Sequence, residues 1–161
     1  MRPAAVRRRE GLFQKIAGFR GGAAGLLLSD RVVRAASAEL NALRPVVLDE
    51  VRVAIARIRA LAGSRAEAEE IFATAHDVRG LAGGYGFAGV GVVAGAIRTY
   101  GEHSPDGFAP DWPLLELLSM MLARAFDHPE EATAETLKAS CRQAVTKAMK
   151  REGREPPEGA L

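Results

Sequence analysis

Apolar residues recur at intervals of three and four through most of this 161-residue chain, and that period admits helices and little else. From Val47 to Ala62 the apolar set is Val47, Leu48, Val51, Ile55, Ile58, Leu61 and Ala62, with Asp49, Glu50, Arg52, Arg57 and Arg59 between. From Ala68 to Tyr85 it is Ala68, Ile71, Phe72, Ala75, Val78, Ala82 and Tyr85, again one stripe of an amphipathic helix. Leu114, Leu115, Leu118, Met121, Leu122 and Phe126 form a further face, and Leu137, Cys141, Ala144, Val145 and Ala148 another. No stretch alternates apolar and polar residues with turn signals on both sides, so a sheet has no support.

Local signals place the boundaries. Ser29-Asp30 is a helix start for Arg31 to Leu43, and Pro45 predicts a stop before the next helix. Gly63 closes the helix that begins at Val47, and Ser64 with Glu67 has the spacing of a capping box for the one after. A third long helix spans about Phe87 to Gly101, and Ser104-Pro105-Asp106-Gly107 breaks it. Asp111-Trp112-Pro113 puts a cap residue ahead of proline in a first turn, and Asp127-His128-Pro129 ends the helix that follows. Thr133 to Lys150 supplies one more. Short loops between amphipathic helices make antiparallel neighbours. The expected fold is therefore all-α: an antiparallel up-and-down four-helix bundle from about residue 46, with an additional helix before it and one near the C-terminus.

A chain of this length supports one domain, which buries roughly 70% of its unfolded surface. We place it over 30–150. Residues 1–29, with Arg2, Arg7, Arg8, Arg9, Lys15 and Arg20 followed by Gly21 to Gly25, read as a flexible basic arm with a short helix around Glu10 to Ala17. Residues 151–161, with Pro156-Pro157 among charges, read as a disordered tail.

The composition excludes several functions. A net charge of +2 is too small for a nucleic-acid surface. No apolar run approaches the ~20 residues of a membrane span, and the apolar Gly25 to Leu28 is too short for a signal peptide. One cysteine, Cys141, allows no internal disulfide, and no Cys/His cluster has zinc spacing, so a reducing cytoplasm fits. On its inward face Cys141 is a small core hydrophobe. His103 and His128 fall at helix ends, where they act as caps, and Trp112 seals the end of the bundle.

His76 stands apart. At 100° per residue it lies roughly 120° from the centre of its helix's apolar stripe, on the shoulder that meets solvent. Phe72 and Ala73 lie one turn before it, Arg79 and Gly80 one turn after, and Gly83 two turns after. A glycine inside a helix costs about 1 kcal/mol relative to alanine, and close approach of a partner's backbone is a reason to accept that cost. Imidazole has a reference pKa of about 6.5, which leaves a ring nitrogen available as a nucleophile at neutral pH. Phosphoryl transfer asks a protein mainly for positioning and charge neutralisation, and an arginine at i+3 can supply the second.

The run His76-Asp77-Val78-Arg79-Gly80-Leu81-Ala82-Gly83-Gly84-Tyr85-Gly86 resembles the signature of the histidine-containing phosphotransfer family: histidine, any residue, aliphatic, Lys or Arg, glycine, small residues, and a later glycine entering the next helix. His76, Val78, Arg79, Gly80, Ala82 and Gly86 fit; Arg79 stands where lysine is commoner and Leu81 where a small residue is usual. The resemblance covers about Leu43 to Lys150. It implies a four-helix bundle and a phosphorelay function. His76 would be the phosphoacceptor and Arg79 the side chain that stabilises phosphoryl charge, with Phe72, Ala73, Gly80 and Gly83 on the partner-binding surface. Partners implied are response-regulator receiver domains and a hybrid or sensor histidine kinase. Such a chain is a phosphocarrier rather than a turnover enzyme, has no cofactor, and leaves Mg²⁺ to the receiver.

Two other readings stand beside it. A helical adaptor would dock on a receiver or kinase through the same face without taking phosphate. Gly84-Tyr85-Gly86-Phe87-Ala88-Gly89 also satisfies the dinucleotide-binding pattern G-x-G-x-x-G, but that pattern needs a preceding strand, and here a helix is expected.

Overall fold

The structure, a computed structural model, describes residues 30–156 apart from 106 and 132, with side chains from residue 34. The chain divides into two compact units, Met1–Leu40 and Asn41–Leu161. In the first, the described residues 30–40 are all helical. The expected basic arm, its short helix and the Ser29 cap lie outside the described residues.

Among the described residues there are five helices and no strand: α1 (Asp30–Ser64), α2 (Ala68–Gly84), α3 (Ala88–Glu102), α4 (Trp112–Asp127) and α5 (Ala134–Arg151). The fold is all-α, as the periodicity predicts. None of these helices is long and apolar enough to cross a membrane.

Two predicted boundaries differ. Pro45 does not divide the first helical stretch but lies inside α1. Proline there removes the donor that would reach the Asn41 carbonyl, yet Asn41 is exposed, so water can satisfy that oxygen. Nor do Gly63 and Ser64 end one helix and cap the next. Both belong to α1, and the Ser64 hydroxyl donates back to the Leu61 carbonyl at 3.2 Å. The turn is made instead by Arg65 and Glu67 at φ 52° and 50°. Glu67 precedes α2 without a side-chain capping bond.

The remaining ends follow their sequence signals. Gly86, at φ 84°, takes the left-handed turn that releases the chain from α2, and the Phe87 N–H reaches back to the Ala82 carbonyl at 3.1 Å. Asp111 caps α4 by accepting from the Leu114 N–H at 3.0 Å, with proline in the first turn. Thr133 caps α5 through the Thr136 N–H at 3.2 Å. His103 and His128 are the C-cap residues of α3 and α4.

α3 sits at the centre of the 41–161 unit and packs against α2, α4 and α5, while α4 also meets α5. Its buried residues include Val90, Val93, Ile97 and Tyr100, all 0% exposed. Its small residues permit close approach: a Cβ added at Gly89 would stand 2.9 Å from Leu137 Cδ1 of α5. From α1, Val51, Ile55, Ile58 and Ala62 enter the same core at four- and three-residue spacing. Burying each large aliphatic side chain contributes about 1.5–3 kcal/mol. Outside the core, Arg57 of α1 pairs with Glu70 of α2, and Arg65 reaches Glu116 of α4 at 3.3 Å.

Aromatic clusters close both ends of this unit. At one, Phe87 and Phe126 stack at 5.5 Å, with the guanidinium groups of Arg44 and Arg52 over their faces at 5.9 and 5.6 Å. At the other, Tyr100 meets Phe72 and Phe108 edge-on at 6.2 and 6.3 Å. Arg154 lies 4.3 Å from the Phe108 centroid, pairs with Glu152 and donates to the His103 carbonyl at 2.6 Å. Ordered contacts therefore extend past Arg151, where a disordered tail was expected to begin, because Arg154 has rings to cover and a carbonyl to bond. Residues 157–161 lie outside the described residues.

Candidate functional site

α2 carries the candidate residues because its buried stripe is narrow. Ile71, Ala75, Val78 and Ala82 turn inward, which fixes the rotation of the helix and leaves the opposite side in solvent. On that side Ala73, His76, Asp77, Gly80, Gly83 and Gly84 are exposed. No side chain among the described residues hydrogen-bonds to His76 or pairs with it. The imidazole is thus a solvent-facing group on α2 with no described side chain on its nitrogens.

The surface around the ring is bare. A Cβ added at Gly80, Gly83 or Gly84 would meet nothing within 4 Å. Packing among the described residues therefore gives no reason for glycine at 80 or 83, although each has a helix-propensity cost. Gly86 is different, since its positive φ is reason enough.

Arg79 is exposed and makes no ion pair or hydrogen bond with a described residue. Its stem and guanidinium cross α3 at Gly95, where an added Cβ would lie 3.6 Å from Nε and 3.7 Å from Cζ. The positive charge is thus laid along the α2–α3 groove one turn from His76, with no described side chain paired to it. Phe72 crosses α3 in the same manner at Gly101, where a Cβ would stand 2.5 Å from its ring. Phe72 is half-buried, so most of its surface serves α2–α3 packing, with only one edge available to a partner. Leu81 is half-buried against the core.

Gly95 and Gly101 are the residues that sequence reasoning passed over. Both lie in the predicted third helix, and their spacing is the only sequence signal that large side chains from a neighbour cross there. Arg98 lies between them, its Nε and Nη2 held by Glu102 Oε1 at 2.7 and 2.6 Å.

The other titratable clusters are elsewhere. The one group of three potential metal ligands among the described residues is His128, Glu130 and Glu131, all exposed in the turn between α4 and α5. Arg124 already pairs with Glu131 at 2.7 Å. Cys141 is buried in α5, and burial pushes its thiol up to about 11. The G-x-G-x-x-G run occupies the junction of α2 and α3, with a helix before it and no strand.

No family model, curated protein or solved structure matches this chain.

Proposed function

We propose that this chain is a histidine phosphotransfer protein of a phosphorelay, taking a phosphoryl group from a receiver-domain aspartate onto His76 and passing it on. One observation carries the reading: a solvent-facing histidine with no partner among the described residues stands on a helix whose neighbouring glycines, Gly80 and Gly83, have open space where side chains would fit. A surface kept clear at a cost of about 1 kcal/mol per glycine suits a partner that must bring its own reacting group against the ring.

The chemistry asks little more of the chain. A ring nitrogen of His76 attacks the phosphorus of the acyl phosphate; the N–P bond forms as the P–O bond to the partner's aspartate breaks, and the aspartate leaves as carboxylate with the bonding pair. Arg79 supplies the nearby positive charge for the phosphoryl oxygens. Arginine in place of lysine keeps the charge and changes the donor geometry, which bears on partner preference. Mg²⁺ belongs to the receiver, and the partners are receiver domains and a hybrid or sensor histidine kinase in the cytoplasm.

The fold supports this in its finer arrangement. We read residues 41–64 of α1 with α2, α3 and α4 as an antiparallel up-and-down four-helix bundle, with α5 laid against α3 and α4. The Arg57–Glu70 pair between α1 and α2 and the Arg65–Glu116 pair from the turn after α1 to α4 support that reading, as do the antiparallel Phe72–Gly101 and Arg79–Gly95 crossings.

Incubation with a panel of phosphorylated receiver domains tests the proposal. Acid-labile, alkali-stable label on the native chain and none on a His76→Gln variant is the expected result. Binding of a receiver with no label from any donor would replace it with the adaptor reading.

A further inference from the structure

The two crossings between α2 and α3 fix a register. Phe72 lies on Gly101 and Arg79 on Gly95, so each residue of α2 stands level with the residue of α3 whose number brings the sum to about 174. His76 is therefore level with Arg98. The helical rise of about 1.5 Å per residue gives the same result: His76 is near the midpoint between Phe72 and Arg79, and Arg98 is midway between Gly95 and Gly101.

The rotation agrees. Gly95 and Gly101 bracket the side of α3 that meets α2, and Arg98 projects between them, its side chain 33% exposed. Phe72 and Arg79 lie on the α3-facing shoulder of His76, at about 40° and 60° from it by the helical period. Arg98 thus rises in the gap between Phe72 and Arg79, on the histidine's side of the groove. Two arginines flank this stretch. Arg79 has no partner among the described residues, whereas Arg98 is held by Glu102 one turn further along α3.

We infer that Arg98 is a second phosphoryl-binding side chain, held by Glu102 while His76 is bare and transferred to the phosphoryl oxygens once His76 carries the group. This rests on the phosphocarrier reading. The exchange is between anions: a carboxylate of one charge, 48% exposed, gives way to a phosphoryl group of nearly two charges with three acceptor oxygens. Arg98 needs only to change rotamer, because its partner lies on its own helix and its backbone stays fixed in α3. Glu102 then sets how readily the cation is released, and with it the balance of phosphoryl group between His76 and the receiver.

The test uses the full chain and one receiver domain that exchanges phosphate with it, reading the equilibrium share of label on each protein. Arg98→Gln is expected to lower the share on His76 by roughly twofold to fivefold, the scale of one exposed charge pair. Glu102→Gln, which releases Arg98, is expected to raise it. Urea unfolding of both variants separates these changes from loss of fold. A native chain labelled by its receiver, with both variants giving the native share, would overturn the Arg98 assignment and leave the phosphocarrier reading intact. A native chain that no receiver labels would overturn the phosphocarrier reading itself. In that event direct labelling of the histidine with phosphoramidate still isolates Arg98: an unchanged Arg98 Nε–H resonance on phosphorylation would show that it never leaves Glu102.

Discussion

The guanidinium of Arg79 crosses α3 over Gly95, with Nε 3.6 Å from where a Cβ would stand, whereas Phe72 presses on Gly101 closely enough that a Cβ would lie 2.5 Å from its ring. The two glycines thus have different tolerances. Alanine at 95 makes an ordinary contact with a side chain that can shift, and it gains helix propensity of up to about 1 kcal/mol. Alanine at 101 overlaps a ring already held against Tyr100. Urea unfolding should find Gly95→Ala neutral or stabilising and Gly101→Ala destabilising by about 1–3 kcal/mol. Equal losses from both would contradict these crossings.

Gly80 separates stability from function. Its added Cβ meets open space, so Gly80→Ala should stabilise the helix by about 1 kcal/mol. A longer side chain there intrudes on the partner, and Gly80→Leu should keep the native fold yet slow receiver-dependent labelling roughly tenfold. Stopped-time labelling beside thermal unfolding checks both. A Gly80→Leu variant that is stable and transfers at the native rate would show that the bare surface has no bearing on docking.

Arg154 anchors the chain after α5. Its side chain is 11% exposed, pairs with Glu152, donates to the His103 carbonyl and covers both Tyr100 and Phe108. Arg154→Ala leaves the Glu152 carboxylate with the Tyr100 hydroxyl but no cation and should cost about 2–4 kcal/mol. The drop should appear in equilibrium unfolding, with His76 labelling unchanged below the transition.

Alkaline pH should weaken the fold through Cys141 and Tyr100. Burial raises the Cys141 thiol from 9.0 to about 11 and pushes the Tyr100 hydroxyl, which donates to Glu152 at 2.8 Å, well above its usual 10.0. Both groups are acids with raised values in the folded state, so the unfolded chain loses protons first. Their contribution is complete below pH 9 and is lost as pH rises through 9 to 11 and beyond. The urea midpoint should fall as pH rises from 9.0 to about 11, and Cys141→Ala should flatten part of that slope. The native thiol should also resist alkylation until the protein unfolds.

Most of the helical architecture was legible in the sequence because it depends on local chemistry. Asp111 before Trp112-Pro113, Thr133 and Gly86 each perform the boundary role their side chain or φ requires. The failures have a physical reason too. Pro45 has the sequence signature of a stop, but its cost falls on an exposed carbonyl that water reaches, and the helix continues. Ser64 and Glu67 had capping-box spacing without the geometry, because the chain turns at Arg65 and Glu67. At the candidate site the period alone placed His76 on an exposed shoulder. What Phe72 and Arg79 touch was not legible, since it depends on the pairing of α2 with α3, and no property of residues 72 to 86 encodes the positions of Gly95 and Gly101.

The central claim is tested most directly by locating the phosphoryl group after receiver-dependent labelling. The chain has three histidines, and the other two differ from His76 in having Nδ1 near an acceptor: His103 Nδ1 lies 2.8 Å from the Thr99 carbonyl, and His128 Nδ1 faces Glu131 at 3.6 Å. Peptide mapping under alkaline conditions should find the label on His76 alone, absent from the His76→Gln variant. Label on His103 or His128, or a native chain that binds phosphorylated receivers and takes no label, would contradict the account.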